Sequence, residues 1–179
     1  MSSRRQWTAV ISIVMAIVFA IALAIKLRPE IVLVGVGSRA PEFQAVDLAT
    51  NRPAKLSDYR GRVLLLNIWA TWCEPCRIEM PAIERLQQHL GANPAFRILS
   101  VSIDADGPEV VRNYAREMGL TFDILQDRPG TIRSIYQTTG VPESFVIDRN
   151  GTIVKKVIGA AAWDSPVNEN LIQGLIDGR

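Results

Sequence analysis

Apolar and polar residues alternate with a different rhythm in each part of the chain. From Trp7 to Ile25 the sequence WTAVISIVMAIVFAIALAI contains no charge, about the length that crosses a bilayer as a helix. No face of this run is polar, which argues against a buried core helix. Arg4 and Arg5 precede it and Lys26 and Arg28 follow it, a bias that leans towards a cytoplasmic N-terminus. A cleaved signal peptide is the alternative, since Ala20-x-Ala22 and Ala22-x-Ala24 resemble cleavage sites. The run is longer than a signal core and no polar break follows the alanines, so residues 1–25 are expected to be a cytoplasmic stub and transmembrane anchor. Either reading puts the rest of the chain outside the cytoplasm. Residues 26–38, with Pro29, Gly35 and Gly37, are expected to be a tether, and residues 39–179 one folded domain.

Within that domain, FQAVDL and PAKLS read as short strands joined by a turn at ATNR. RVLLLNIWA is a continuous apolar run, suited to a central strand buried on both faces. From Glu74 to Leu90, Ile78, Ile83, Leu86 and Leu90 recur at helical spacing, and Gly91 ends the helix. FRILSVSID is a second buried strand, GPEVVRNYAREMG a helix, TFDIL a short strand and GTIRSIYQ a short helix. ESFVID, then Arg149-Asn150-Gly151, then TIVKKVI form a strand pair around an Asn-Gly turn. The segment from Ser165, an expected N-cap before Pro166, closes the chain as a helix. Strands alternating with helices, then a hairpin and a helix, predict an α/β domain with a central mixed sheet flanked by helices.

Composition narrows function mostly by exclusion. The 179 residues are 48% hydrophobic and 21% charged, with a formal net charge of +2 and no long basic run, so nothing points to nucleic acid. Cys73 and Cys76 are the only cysteines and His89 the only histidine. A zinc site needs about four ligands, so no metal is expected, and His89 reads as a solvated helix residue. Asp104 and Asp106 read as a turn ending a strand rather than a cation site. A structural disulfide closing so short a loop would constrain little of the unfolded chain.

The two cysteines fall where a buried strand turns into a helix. Unpaired amides and the positive end of the helix dipole stabilise a thiolate at Cys73. Cys76 lies one turn on, less exposed, and Pro75 is tolerated in a first turn. One accessible thiolate and one shielded thiol form the arrangement that thiol–disulfide exchange requires. Such a motif beside a βαβ pattern reads as thioredoxin-like. No cofactor is expected beyond the redox-active Cys73–Cys76 disulfide. Trp72 reads as part of an apolar docking surface around Cys73, and Trp69 as core.

WATWCEPC resembles the thioredoxin superfamily. GSRAPEFQAVDL, KLSDYRGRVLLLNIWATWC and GVPESFVIDRNGTIV resemble its membrane-anchored extracytoplasmic branch, which includes TlpA, CcmG and ResA. CEPCRIEMP is nearest to the ResA-like members, and VPE nearer to CcmG. The resemblance implies a thioredoxin fold with an N-terminal strand extension and a helix–strand insertion at about residues 104–127. It implies that Pro142 is a cis-proline facing the cysteines and that Val141 contacts an extended substrate. Cytoplasmic thioredoxins carry a buried aspartate where this chain has Asn67, which cannot titrate. Glu79, one turn past Cys76, is therefore the candidate proton carrier. Glu143, either near the pair or exposed at a strand start, and Glu74, between the cysteines, are further candidates.

These features predict an extracytoplasmic, membrane-anchored thiol–disulfide oxidoreductase. The resemblance implies an oxidised apocytochrome c cysteine pair as client, during cytochrome c maturation, and a membrane thiol-electron donor of the CcdA or DsbD type. An oxidase of the same fold and a non-catalytic metal- or haem-handling assembly factor are the alternatives.

Overall fold

The computed structural model describes residues 3–26 and 33–178. Two compact units make up the chain, residues 1–32 and 33–179. The first holds helix α1, Ser3–Lys26, whose apolar side chains such as Ile11, Ile13, Met15 and Phe19 are exposed. Among the described residues no helix is long and apolar enough to cross a membrane. Residues 7–25 of α1 carry no charged side chain. Residues 27–32 of the expected tether lie outside the described residues. Residues 33–38 are held to the folded unit: Gly37 N donates to Ile153 O, Ile153 N to Ser38 O, and Val34 N to the Gln137 side chain.

The second unit is built on a seven-stranded mixed sheet in the order β2-β1-β5-β4-β3-β6-β7. Its strands are β1 (Gln44–Asp47), β2 (Pro53–Lys55), β3 (Val63–Trp69), β4 (Phe96–Ser102), β5 (Asp123–Gln126), β6 (Glu143–Ile147) and β7 (Ile153–Ile158). The helices are α2 (Glu74–Leu90), α3 (Pro108–Met118), α4 (Thr131–Ile135) and α5 (Pro166–Asp177). β3 runs parallel to β4 and antiparallel to β6. All seven of its residues are buried, as its near-continuous apolar run predicts. The insertion supplies α3 and β5, and β5 joins the parallel core to the β1–β2 extension.

Alternation along β3 sorts the core into two faces. Asn67 and Trp69 point one way, with the Trp69 ring packed at a tilt against the Tyr114 ring of α3, centroids 5.2 Å apart. Leu66 and Ile68 point the other way, opposite Phe145 and Glu143 of β6 in register. Burying each large aliphatic side chain here contributes about 1.5–3 kcal/mol before conformational entropy is charged against it.

Two local expectations need correction, and a third gains detail. Ile78 shares the helical spacing of Ile83 and Leu86 but is 69% exposed, and the core-facing stripe of α2 instead runs through Cys76, Met80, Ile83 and Leu86. Helical repetition alone did not assign Ile78 to a face, because α2 begins at a site where apolar surface is left open. Ser165 occupies the N-cap of α5, yet its side chain makes no capping bond. Its carbonyl takes the Asn168 and Glu169 amides instead. The Asn-Gly turn between β6 and β7 falls within the three-residue loop Arg149-Asn150-Gly151. Gly151 N donates to Asp148 O, Gly151 has φ +83°, and a register shift follows at Val146/Ile147, the pattern of a three-residue loop with a left-handed glycine.

Candidate active site

The redox pair sits where the buried end of β3 meets α2. A polar clamp fixes this junction. Thr71 N and Thr71 Oγ1 donate to the Asp104 carboxylate at 3.0 and 2.6 Å, and Ser102 Oγ donates to it at 2.7 Å. Asp104 is buried and fully engaged with these neighbours, and no cluster of metal-binding side chains occurs among the described residues.

Cys73 is the N-cap of α2, and Pro75 falls in the first turn. Cys76 N donates to Cys73 Sγ at 3.1 Å, the contact through which a helix terminus stabilises a sulfur anion. The two sulfurs are joined at 2.09 Å. Cys73 keeps 5% of its surface and Cys76 none, so an incoming sulfur meets Cys73 first. Trp72, next to it in the chain, is 66% exposed. Pro81 lies inside α2 without ending it.

The loop before β6 closes the site. The Val141–Pro142 peptide is cis, and Val141 O lies 3.4 Å from Cys73 Sγ. In the disulfide that sulfur has no hydrogen, so the approach is a contact. In the dithiol it can become a weak S–H donor bond.

The candidate carboxylates are separated by the sheet. Glu74 is exposed on the first turn of α2. Glu79 is 1% exposed and faces the Asn67 side of β3. Its Oε1 accepts from Trp163 Nε1 at 2.7 Å and Ala161 N at 3.1 Å, and its Oε2 from Asn67 Nδ2 at 3.1 Å. Asn67 Nδ2 also donates to Ser144 Oγ at 2.9 Å, and Ser100 Oγ donates to Asn67 Oδ1 at 3.2 Å. Burial pushes the Glu79 carboxyl up to about 7, against the pull of the three donors. Glu79 and Cys76, three residues apart and both fully buried, are neighbours on one helix face.

Glu143 is fully buried rather than exposed at a strand start, and it lies on the opposite face of the sheet, opposite Ile68. Lys156 Nζ stands 2.8 Å from its Oε1, without the alignment of a hydrogen bond, and Thr139 N donates to Oε2 at 3.3 Å. His89 is half exposed and paired at 2.6 Å with Glu169 rather than merely solvated. Sequence reading missed Trp163, the donor closest to Glu79. Its only signal was a single indole in GAAAWDS, a small-residue loop with no periodicity to assign it to the core. A cleft of about 420 Å³ lined by Arg39, Arg60, Arg62 and Arg149 lies at the other end of β3 and contains no part of this chemistry.

Comparison with known proteins agrees with this geometry. The model of the AhpC/TSA family matches residues 36–156. The chain is 37% identical over 139 residues to the thiol-disulfide oxidoreductase ResA of Geobacillus thermodenitrificans, covering 77% of each. It is 37% identical over 117 residues to the thioredoxin-like protein YneN of Bacillus subtilis, 65% of this chain and 68% of that one. A Chlorobium tepidum crystal structure assigned as the thiol:disulfide interchange protein DsbE superposes with a TM-score of 0.67 at 29% identity, covering 81% of this chain and 97% of that one. A Bacteroides thetaiotaomicron solution structure assigned as a protein disulfide isomerase superposes with a TM-score of 0.73 at 27% identity, covering 81% and 92%. With the sheet, the strand-to-helix cysteine pair and these relatives in agreement, the chain belongs to the thioredoxin-like AhpC/TSA family and is a thiol–disulfide oxidoreductase.

Proposed function

We propose that the protein works as a reductant, tethered to the outer side of the cytoplasmic membrane by α1. Its client is the oxidised cysteine pair of an apocytochrome c before haem attachment, and a membrane thiol transporter of the CcdA or DsbD type re-reduces it. The Cys73 thiolate attacks one client sulfur, which breaks the client disulfide, forms a mixed disulfide and releases a client thiolate that takes a proton. Cys76 then gives its proton to Glu79 and attacks Cys73 Sγ. The second client sulfur leaves, two electrons have passed to the client, and Cys73–Cys76 is oxidised. Trp72, Val141 and Pro142 border the approach to Cys73 and suit an extended client segment.

The observation that carries the direction is the buried Glu79 carboxylate, which accepts three neutral donors and has no cation paired with it among the described residues. A negative charge held in a low-dielectric setting disfavours a second one on the neighbouring sulfurs. A less stabilised thiolate makes the dithiol the stronger electron donor. The ResA relatives, named thiol-disulfide oxidoreductases, support the exchange chemistry. The 24-residue α1, uncharged from residue 7 to 25, supports the tether.

Equilibration with a thiol buffer tests the direction. A potential near or below about −270 mV fits a reductant, and one near about −120 mV, the range of a dedicated oxidase, overturns it. In cells, Cys76→Ser should accumulate a mixed disulfide through Cys73, and mass spectrometry of the trapped partner names the client. Trapped partners lacking a haem-binding cysteine pair would refute the cytochrome assignment.

A further inference from the structure

The loop between β7 and α5, residues 159–165, approaches the redox centre. Trp163 has no exposed surface, and its ring is fixed from several sides. Asn168 Nδ2 of α5 donates to Ala162 O at 2.8 Å, Lys155 Nζ of β7 donates to Asn168 Oδ1 at 2.6 Å, and the same ammonium stands 5.9 Å from the indole centroid. The indole N–H is therefore aimed at Glu79 Oε1 by a loop that cannot readily turn away. Asn67 holds the other oxygen, oriented by Ser100 and Ser144.

We propose that Trp163, supported by Asn67, is a positioning residue of the exchange reaction: it holds the Glu79 carboxylate in place and sets how tightly that carboxylate keeps a proton. The inference rests on Glu79 serving Cys76 as its proton acceptor. A carboxylate uses all its hydrogen-bonding capacity as an acceptor when ionised, and each N–H aimed at it favours the ionised form. Burial opposes them. Neutral, fixed donors then act as the adjustable part of the balance, because no full charge dominates it. The charged groups on the packed elements are engaged elsewhere. On α2, Arg77 lies over the Tyr114 ring, Arg85 pairs with Asp164, the buried Glu84 accepts from Thr121 N and Oγ1, and Glu74 is exposed on the first turn. On β6 and β7, Glu143 and Lys156 pair on the far face and Lys155 is bonded to Asn168. On α5, Glu169 pairs with His89. β3 and β4 contribute Asn67 and Ser100, which do not titrate.

Trp163→Phe removes the N–H and keeps most of the ring. The full chain in detergent would be labelled with ¹³C at glutamate carboxyls, with Glu79→Gln assigning the Glu79 signal. The Glu79 midpoint should rise by about one to two pH units in Trp163→Phe, the size expected for losing one hydrogen bond to a charged group. The pH at half-maximal rate for resolving a mixed disulfide should rise with it, while the first attack by Cys73 keeps its parental rate. Asn67→Ala should shift both in the same direction, which covers the case in which Trp163→Phe fails to fold. An unmoved Glu79 midpoint in the folded variants overturns the inference. If Glu79→Gln itself keeps the parental pH–rate profile, the proton-acceptor reading fails instead, and the carboxyl titration still decides what Trp163 does.

Discussion

Two glutamates lie buried near the same end of the sheet, one on each face, and their surroundings differ in kind. Glu143 faces a full positive charge, Lys156 Nζ at 2.8 Å. Lys156 in turn stands over the Phe145 ring and reaches Val34 O. Glu79 faces only neutral donors: an indole, an amide side chain and a backbone N–H. Burial is equally complete for both, so burial does not separate their roles. A carboxylate facing a cation is tied to it and serves to hold the loop around Thr139 and the β6–β7 edge. A charge matched only by dipoles is left poised, pushed up to about 7, where a small change in surroundings moves a proton. One residue type thus meets two different surroundings by the choice of partner, and only that of Glu79 suits the proton-accepting role proposed for it.

The comparison is most easily broken on the ion-paired face. Glu143→Ala leaves the partly exposed Lys156 with only Val34 O, and breaking a buried pair costs up to about 3–5 kcal/mol. Urea denaturation should show that loss, while the folded fraction should keep the parental pH profile of disulfide resolution. A changed profile with little loss of stability would mean that Glu143, too, carries protons.

On the other face the effect should be chemical. Glu79→Gln is expected to slow resolution of the mixed disulfide by about 10²-fold, the lower range for a lost general base, and to flatten its pH dependence. Stopped-flow reduction of a disulfide peptide separates this step from the attack by Cys73. Stability should respond with the opposite sign to an ordinary salt-bridged acid. The Glu79 carboxyl is raised from 4.5 to about 7, so the folded chain holds its proton longer than the unfolded chain. Its contribution is full below pH 4.5 and lost as pH rises through about 7, on the order of 3 kcal/mol in all. Denaturation midpoints across that window should fall in the parent and stay level in Glu79→Gln.

Asn67→Asp sharpens the contrast by turning a donor into a second acid. Asn67 Nδ2 is 3.1 Å from Glu79 Oε2, and two carboxylates so close share a proton. The pH–rate profile should move upward by about one unit or more, with two apparent steps. A single unmoved step would show that the two side chains do not interact.

The smallest effect is expected at Arg85→Ala, which removes the surface pair with Asp164 beside Trp163. Exposed pairs contribute less than about 1 kcal/mol, and the Glu79 profile should remain in place. A shift there would mean that the Trp163 loop is held by surface charge rather than by Asn168 and the core.

Much of the fold was legible because its signals are local. The apolar run 63–70, interrupted only by Asn67, marked β3, Gly119 took the left-handed conformation that ends α3, and the CxxC spacing at a strand-to-helix junction marked the redox pair. Helical spacing put Glu79 on the face of Cys76. The same reasoning failed at Ile78, because periodicity counts repeats and does not tell which side a neighbouring element will cover. It left Glu143 undecided between the pair and solvent, because a residue next to the end of a strand can point to either face until the register with β3 is set. Trp163 was missed for the same reason at longer range: it lies 84 residues from its partner Glu79.

By itself, then, the sequence determined the order of elements, the chemistry of the Cys73–Cys76 pair and the presence of one carboxylate a helical turn away, since propensity, period and spacing act over a few residues. Only the tertiary structure decided which buried acid receives a cation and which receives neutral donors. That choice depends on Lys156, Trp163 and Asn67 arriving from β7, the loop before α5 and β3, and a proton affinity depends on charges and dipoles within a few ångströms, however distant they are along the chain.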